Sequence, residues 1–429
     1  MRGLHTALVA FAALVLVLPA VVAAAPCGGD VVCRCGDNVT ANYRLPGDLG
    51  PCPGHGLVIR RGVAVDCRAF KIMGSGGTTE QYGIILAGKP GAEVSGVTVR
   101  ACRIAGFKRG IRLRDASDNT IIDNVSSTNG DFRAHVGYGI DVSGGSKNNL
   151  LQGNTVQGNA DEGIHVGRGS DGNRLTANVV TDNYRENLYV LDSDGGVFVR
   201  NTLGGSGVNS LYLKNSSGNR FENNTFTAKP ARIIGDSHNN DFVGNTFSGA
   251  GVHFLPYKDS RGQGPTNNRI TGGIIQRVSD CLRFTSTSGN VVADIVLKDC
   301  RTQVRAEGPT GRAVNTIVGI APTSVALAEG AALDIGWRLT LHVQDAAGKP
   351  VPGARVEAKE SGGATAWSAV ANEGGDVPPQ ILIVATRTDS KTSAKTPHTL
   401  TTTKAGFRPD VRTITAKEDL KLTVTLQQE

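Results

Sequence analysis

Tyr138, Asp141, Glu162, His165 and Arg185 are the residue types that proton-transfer chemistry on a sugar acid needs, and they fall at repeating distances. Removing a proton next to a uronate carboxylate takes a base that titrates near neutrality, a proton donor and a cation for the developing charge. His165 is the candidate base, and Tyr138 or Tyr189 is the candidate proton donor. Arg185 or Arg168 is the candidate carboxylate clamp, and Asp141 the group that would orient the imidazole. Arg112, Arg168, Glu186, Tyr189 and Tyr212 recur in neighbouring slots as candidate substrate-binding residues.

The rival reading of each residue alone is an ordinary solvated side chain, since an outward face must be polar. Glycoside hydrolysis competes too, because Asp141, Glu162 and Glu186 on successive turns could reach the carboxyl spacings it requires. In a purely binding protein, Tyr189 and Tyr212 would be stacking platforms for sugar rings.

These residues share a site only if the chain stacks its repeats. Asn recurs five residues apart at Asn119/Asn124, Asn149/Asn154, Asn173/Asn178, Asn219/Asn224 and Asn240/Asn245, with Gly196/Asn201 in the same beat. A second unit keeps time with it: Gly110-Ile111-Arg112-Leu113, Gly139-Ile140-Asp141-Val142, Gly163-Ile164-His165-Val166, Asn187-Leu188-Tyr189-Val190 and Ser210-Leu211-Tyr212-Leu213. A short repeat cannot bury its own apolar face and must stack on its neighbours. Ile and Val then point inward while the residue between them points outward. The spacing predicts an all-β chain: a right-handed parallel β-helix of about eight to ten coils. The third residues of the units form one outer column, and the Asn side chains form ladders between coils.

The stretch from Cys35-Gly36-Asp37 through Cys52-Pro53 to Val65-Asp66-Cys67 resembles the opening of exported parallel β-helix repeat proteins of the CASH superfamily, which includes NosD-like periplasmic proteins. Tyr138-Gly139-Ile140-Asp141 is similar to the Tyr-Gly-Phe-Asp motif of alginate C5-epimerases, with Glu162-Gly163 and Arg185 in the following coils. Two departures stand out: Ser143 occupies the slot of that family's His, and Glu162 stands where the family has Asp. His165 would have to supply the base. The resemblance implies an acidic polysaccharide as partner and lyase or epimerase chemistry without a cofactor. A NosD-like role in copper-site assembly is a further implication, weakened by the lack of a dense Met/His/Cys ligand set.

Arg2 and the apolar run Ala7 to Leu18, followed by small residues to Ala25, read as a cleaved signal over residues 1–25. No later segment is apolar enough to span a bilayer. Export to the periplasm or beyond makes Cys27, Cys33, Cys35, Cys52, Cys67, Cys102, Cys281 and Cys300 disulfide candidates. The early ones would staple the N-terminal end, and Cys281 and Cys300 could bridge neighbouring coils. No Cys-x-x-Cys pair or calcium-binding nonapeptide is present, and no metal is expected.

The organisation reads as a cysteine-rich cap and first coils over 26–70, the β-helix over 71–318, a joint over 319–336 and a β-sandwich over 337–429. Gly348-Lys349-Pro350-Val351-Pro352-Gly353 and Lys404-Ala405-Gly406-Phe407 in the last part resemble carboxypeptidase-regulatory-like domains. The net charge is +7, from 45 Lys+Arg and 38 Asp+Glu. It is spread along the chain, so no nucleic-acid footprint emerges. Oligomeric state is not legible. Gly54-His55-Gly56 mimics a polygalacturonase motif without partner acids. His135, the pair His238 and His253, and the insert between Val252 and Asn268 are weaker candidates.

Overall fold

The computed structural model describes residues 24–77, 80–257, 264–308 and 314–429. The proposed signal falls almost wholly outside them. Short strands repeat in parallel register on three walls. One wall carries Arg109–Arg114, Tyr138–Ser143, Ile164–Gly167, Glu186–Leu191 and Asn209–Lys214. A second carries Val125–Ser127, Thr155–Gln157 and Val179–Thr181, and a third Thr120–Ile122, Leu150–Gln152 and Arg174–Thr176. This is a parallel β-helix.

On the first wall one outward column runs unbroken: Asn38, Val58, Ile85, Arg112, Asp141, His165, Tyr189, Tyr212, Arg232, His253, Arg283, Arg305 and Ala326. Thirteen members exceed the eight to ten coils expected. At the N-terminal end the extra coils precede the first Asn pair, Asn119/Asn124; at the C-terminal end the Asn ladder runs on singly through Asn268, Asn290 and Asn315.

Each inward position is filled as the alternation requires, with Ile140, Val142, Ile164, Leu188, Val190, Leu211 and Leu213 fully or nearly fully buried. Phe198, Phe221 and Phe242 stack at 4.5 and 4.7 Å between ring centres, extending the core along the axis. The Asn ladders are equally continuous. Asn124 Nδ2 donates to Asn154 Oδ1, Asn154 to Asn178, Asn178 to Asn201 and Asn201 to Asn224, each at 3.0 Å. The same oxygens accept backbone N–H groups from the coil before, so buried turn amides are satisfied without water. A third ladder, Asn129 to Asn159 to Asn183, ends on Asn187 of the first wall. Gly139 belongs here: a Cβ at that position would come within 2.7 Å of Asn159 Nδ2.

Disulfides join Cys27–Cys33, Cys35–Cys52, Cys67–Cys102 and Cys281–Cys300. The first three staple the N-terminal coils, and the fourth links two adjacent long strands, Ile274–Thr285 and Val296–Glu307. Four such bonds fit an oxidising compartment.

The stretch 319–336, expected as a joint, is structured. Val325–Leu327 pairs with Val296–Glu307, and Ala332–Asp345 begins as a β-helix strand beside Asn315–Val318. The same strand then continues into a sandwich, pairing with Asp376–Thr388 and Leu420–Leu426. The apolar residues of 319–336 alternate on the coil's own pattern, which hides a boundary placed by the end of the Asn repeat. The second sheet of the sandwich holds Arg355–Lys359, Thr365–Val370, His398–Thr403 and Asp410–Ile414, over a separate core that includes Leu341, Val356, Leu382 and Leu400.

Candidate active site

Because the wall is in register, Arg112, Asp141, His165, Tyr189 and Tyr212 stand one above another on consecutive strands. The position one residue before each Gly or its replacement forms a second column: Tyr82, Arg109, Tyr138, then Glu162 and Glu186. Neighbouring strands lie about 4.8 Å apart, so the two columns pack side chains from coils far apart in sequence into one patch.

That patch is not solvated. Asp141 and Glu162 are each 2% exposed, Glu186 is 3% and His165 is 9%. The rings pack on one another: Tyr138 meets His165 edge-on at 4.9 Å, His165 stacks on Tyr189 at 5.3 Å, and Tyr189 meets Tyr212 edge-on at 5.2 Å. The aromatic rings shield the polar groups between them from water.

Two charge clusters flank the rings. In the first, Asp141 Oδ2 lies 3.2 Å from Arg109 Nε and 3.7 Å from Arg112 Nε. Arg109 is also 5.0 Å above the Tyr138 ring. No hydrogen bond joins Asp141 to His165. Both imidazole nitrogens and Asp141 Oδ1 are buried without a hydrogen-bond partner among the described residues. In the second cluster, the Arg185 guanidinium reaches Asp161 at 3.4 Å, Glu162 at 3.7 Å and Glu186 at 3.4 Å. One cation thus serves three buried carboxyls, and the carboxyl oxygens of Asp161, Glu162 and Glu186 lie within 4.8 Å of one another.

Such crowding sets the protonation states. Burial, reinforced by Asp161 and Glu186, pushes the Glu162 carboxyl up to about 9. Burial also pushes Asp161 up to about 6, against the pull of Arg185. Burial lowers the His165 imidazole below its ordinary value, so at neutral pH it is an unprotonated base. Burial, with Glu162 and Asp161 nearby, raises the Tyr138 phenol, which keeps its proton. The wall therefore presents a neutral base, a protonated phenol and a protonated carboxyl side by side. The three clustered acids carry hard oxygen atoms of the kind magnesium, calcium or manganese takes rather than a soft copper set, but here Arg185 supplies their counter-charge and Glu162 keeps its proton.

Arg168 sits in the turn after Ile164–Gly167 with a left-handed backbone (φ 59°) and is exposed beside His165. His135 stacks on Tyr184 at 4.1 Å at the rim. His238 and His253 do not meet: His253 belongs to the outer column between Arg232 and Arg283, while His238 forms a parallel bridge to Thr266 and hydrogen-bonds Ser217. His55 stacks on Tyr82 and accepts its backbone N–H. The insert after Val252 lies partly outside the described residues.

Arg109, Asp161 and Arg232 are members of the wall that the sequence reading passed over. Arg109 occupies the slot of Tyr138 one coil earlier, and Asp161 the slot of Arg185 one coil earlier, so following those slots upstream identifies both.

Comparison with known families bears on the same region. Residues 58–209 match the NosD family model. That family is described as periplasmic copper-binding protein, and the matched segment covers about a third of the chain. No curated protein matches. Similar solved structures include the A-module of mannuronan C-5 epimerase AlgE4 from Azotobacter vinelandii, at 13% identity over 68% of this chain and 90% of that one, with a TM-score of 0.43. DFA-IIIase from Arthrobacter chlorophenolicus A6 without its lid matches at 16% identity over 68% of this chain and 74% of that one, with a TM-score of 0.44. The A-module of AlgE6 from Azotobacter vinelandii matches at 16% identity over 71% and 88%, with a TM-score of 0.36.

Proposed function

We propose that this is an exported enzyme that cleaves an acidic polysaccharide by β-elimination on the first wall of its β-helix, with Tyr138, Asp141, Glu162, His165 and Arg185 as the working set. The observation that carries the reading is the packing of Tyr138 against His165 at 4.9 Å, phenol protonated and imidazole neutral. His165 takes the C5 proton of a uronate residue. The C5–H electron pair becomes the C4=C5 double bond, the C4–O4 bond breaks, and the departing oxygen takes the Tyr138 proton. Glu162, holding its own proton, donates a hydrogen bond to the uronate carboxylate instead of repelling it, and Arg185 adds positive charge. Base and acid stand on the same wall, too close for a sugar ring to fit between them. That favours elimination from one face over C5 epimerisation, which needs a proton donor on the opposite face. Arg112, Arg168, Glu186, Tyr189 and Tyr212 line the bound chain, and the C-terminal sandwich is an accessory module of carboxypeptidase-regulatory-like type. The eight paired cysteines support a periplasmic or extracellular location.

A second reading has its own observation. Protonated Glu162 beside Asp161 and Glu186 is the acid-plus-carboxylate pairing of glycoside hydrolysis. Incubating the purified protein with mannuronan, guluronan and polygalacturonate separates the readings. Unsaturated uronate ends, seen by ultraviolet absorbance, support elimination. New reducing ends without unsaturation transfer the function to the acid cluster. Binding without either product leaves a glycan-binding protein.

A further inference from the structure

Beyond Tyr212 the outer column changes character. Arg232, His253 and Arg283 follow on three consecutive strands, so two guanidiniums bracket an imidazole at one strand spacing on either side. Stacking like charges this closely is unfavourable unless counter-charges intervene. Arg283 has one, Glu307 at 2.8 Å, and the next residue of the column, Arg305, has Asp280 at 2.8 Å. Arg232 has no carboxylate partner among the described residues. Its Nε and that of Arg283 are buried with no hydrogen-bond partner. Burial, with the two guanidiniums, pushes His253 down to about 4 against the pull of Asp280, so at neutral pH it is a neutral donor rather than a third cation. The column between Tyr212 and Arg283 therefore holds unused hydrogen-bond donors and an uncompensated positive charge on an outward face.

We propose that Arg232, His253 and Arg283 form an anion subsite that holds a carboxylate of the same polyuronate chain, downstream of the residue being cleaved. Resting on the elimination reading, this adds direction and length: the polymer lies along the helix axis from His165 across the Tyr189 and Tyr212 rings to Arg232. Three strand spacings of about 4.8 Å put the subsite roughly 14 Å from His165. Short fragments bound at His165 cannot reach it; longer ones can. A guanidinium–carboxylate contact of this kind adds a charge-assisted hydrogen bond, and its loss lowers affinity by roughly ten- to a hundred-fold.

The test is calorimetric binding of defined mannuronate and galacturonate oligomers, from dimer to octamer, to the full chain and to Arg232→Gln, with Arg232→Lys and a thermal melt as controls. The expected result is that affinity climbs once the oligomer spans the gap, that Arg232→Gln removes the climb while leaving dimer affinity and melting temperature unchanged, and that Arg232→Lys restores part of it. Equal affinity of wild type and Arg232→Gln at every length overturns the subsite. Length-dependent, Arg232-sensitive binding with no unsaturated product keeps the subsite and defeats the elimination reading. Turnover with affinity indifferent to Arg232 does the reverse.

Discussion

Asp141 and His165 are register partners on adjacent strands, yet the Asp141 carboxylate is committed to Arg109, 3.2 Å away, and to Arg112. The carboxylate thus anchors the upstream side of the aromatic patch and makes no hydrogen bond to the imidazole beside Tyr138. Asp141→Asn takes the one buried carboxylate away from two largely buried guanidiniums, of which Arg112 keeps the Tyr82 hydroxyl. Arg109 retains Glu80 at 3.6 Å, so the cost is about 2 to 3 kcal/mol, at or below the usual penalty for orphaning a buried charge. Urea unfolding measures it as a lower midpoint with an unchanged slope. A loss below about 0.5 kcal/mol, the range of ordinary surface changes, returns Asp141 to the status of a solvated side chain.

Glu162 and His165 make opposite contributions to stability as pH changes. Glu162 holds its proton up to about 9 in the folded chain but releases it near 4.5 when unfolded. The folded state therefore binds more protons in that window, and the stability this supplies below pH 4.5 is lost as pH rises toward 9. His165 is depressed below 6.5 when folded, so its contribution is lost as pH falls below 6.5. Glu162→Gln removes only the first effect. Relative to wild type, its unfolding midpoint rises progressively between pH 5 and 9, as read by denaturant titration at each pH. Parallel pH profiles for the two proteins exclude a protonated Glu162.

The scaffold was more legible than the site. The Gly-Ile-x-Val beat locates the outer column because side-chain alternation on a strand is rigid, and the Asn beat locates the ladders because a short side-chain amide can accept from one neighbouring coil and donate to another at once. What the beat could not convey was burial. Asp141, Glu162 and Glu186 point outward and read as solvated, but Tyr138, Tyr189 and the arginines close over them. Nor could it convey pairing. Arg185, cast as a clamp for substrate, already serves three carboxyls, one of which, Asp161, lies outside the repeated motif.

The ladder itself is testable at Asn154. Its Oδ1 accepts from the backbone N–H and the Nδ2 of Asn124, both at 3.0 Å, and its Nδ2 donates to Ile121 O at 2.8 Å and Asn178 Oδ1 at 3.0 Å. Asn154→Ala leaves several of these groups buried and unpaired, at about 3 to 4 kcal/mol in total. The loss appears as a lower unfolding midpoint, with fast amide exchange at Asn124. Unchanged protection there shows that the turns hold without the side chain.

The closing prediction separates chemistry from binding on the wall. His165→Ala removes the imidazole that meets the Tyr138 ring, and Tyr138→Phe removes a hydroxyl while keeping the ring that packs on His165. Both variants should lose unsaturated product by about a hundred-fold or more, the range of a positioned acid or base, with oligouronate affinity within about twofold of wild type. Tyr189→Phe acts as the control, because its ring stacks on the opposite side of His165 and keeps that packing without its hydroxyl. If Tyr189→Phe is the variant that loses turnover while Tyr138→Phe retains it, the proton donor stands C-terminal to the base and the substrate runs in the opposite direction. If all three variants keep turnover, the chemistry lies in the Asp161, Glu162 and Glu186 cluster, and Glu162→Gln becomes the inactive protein.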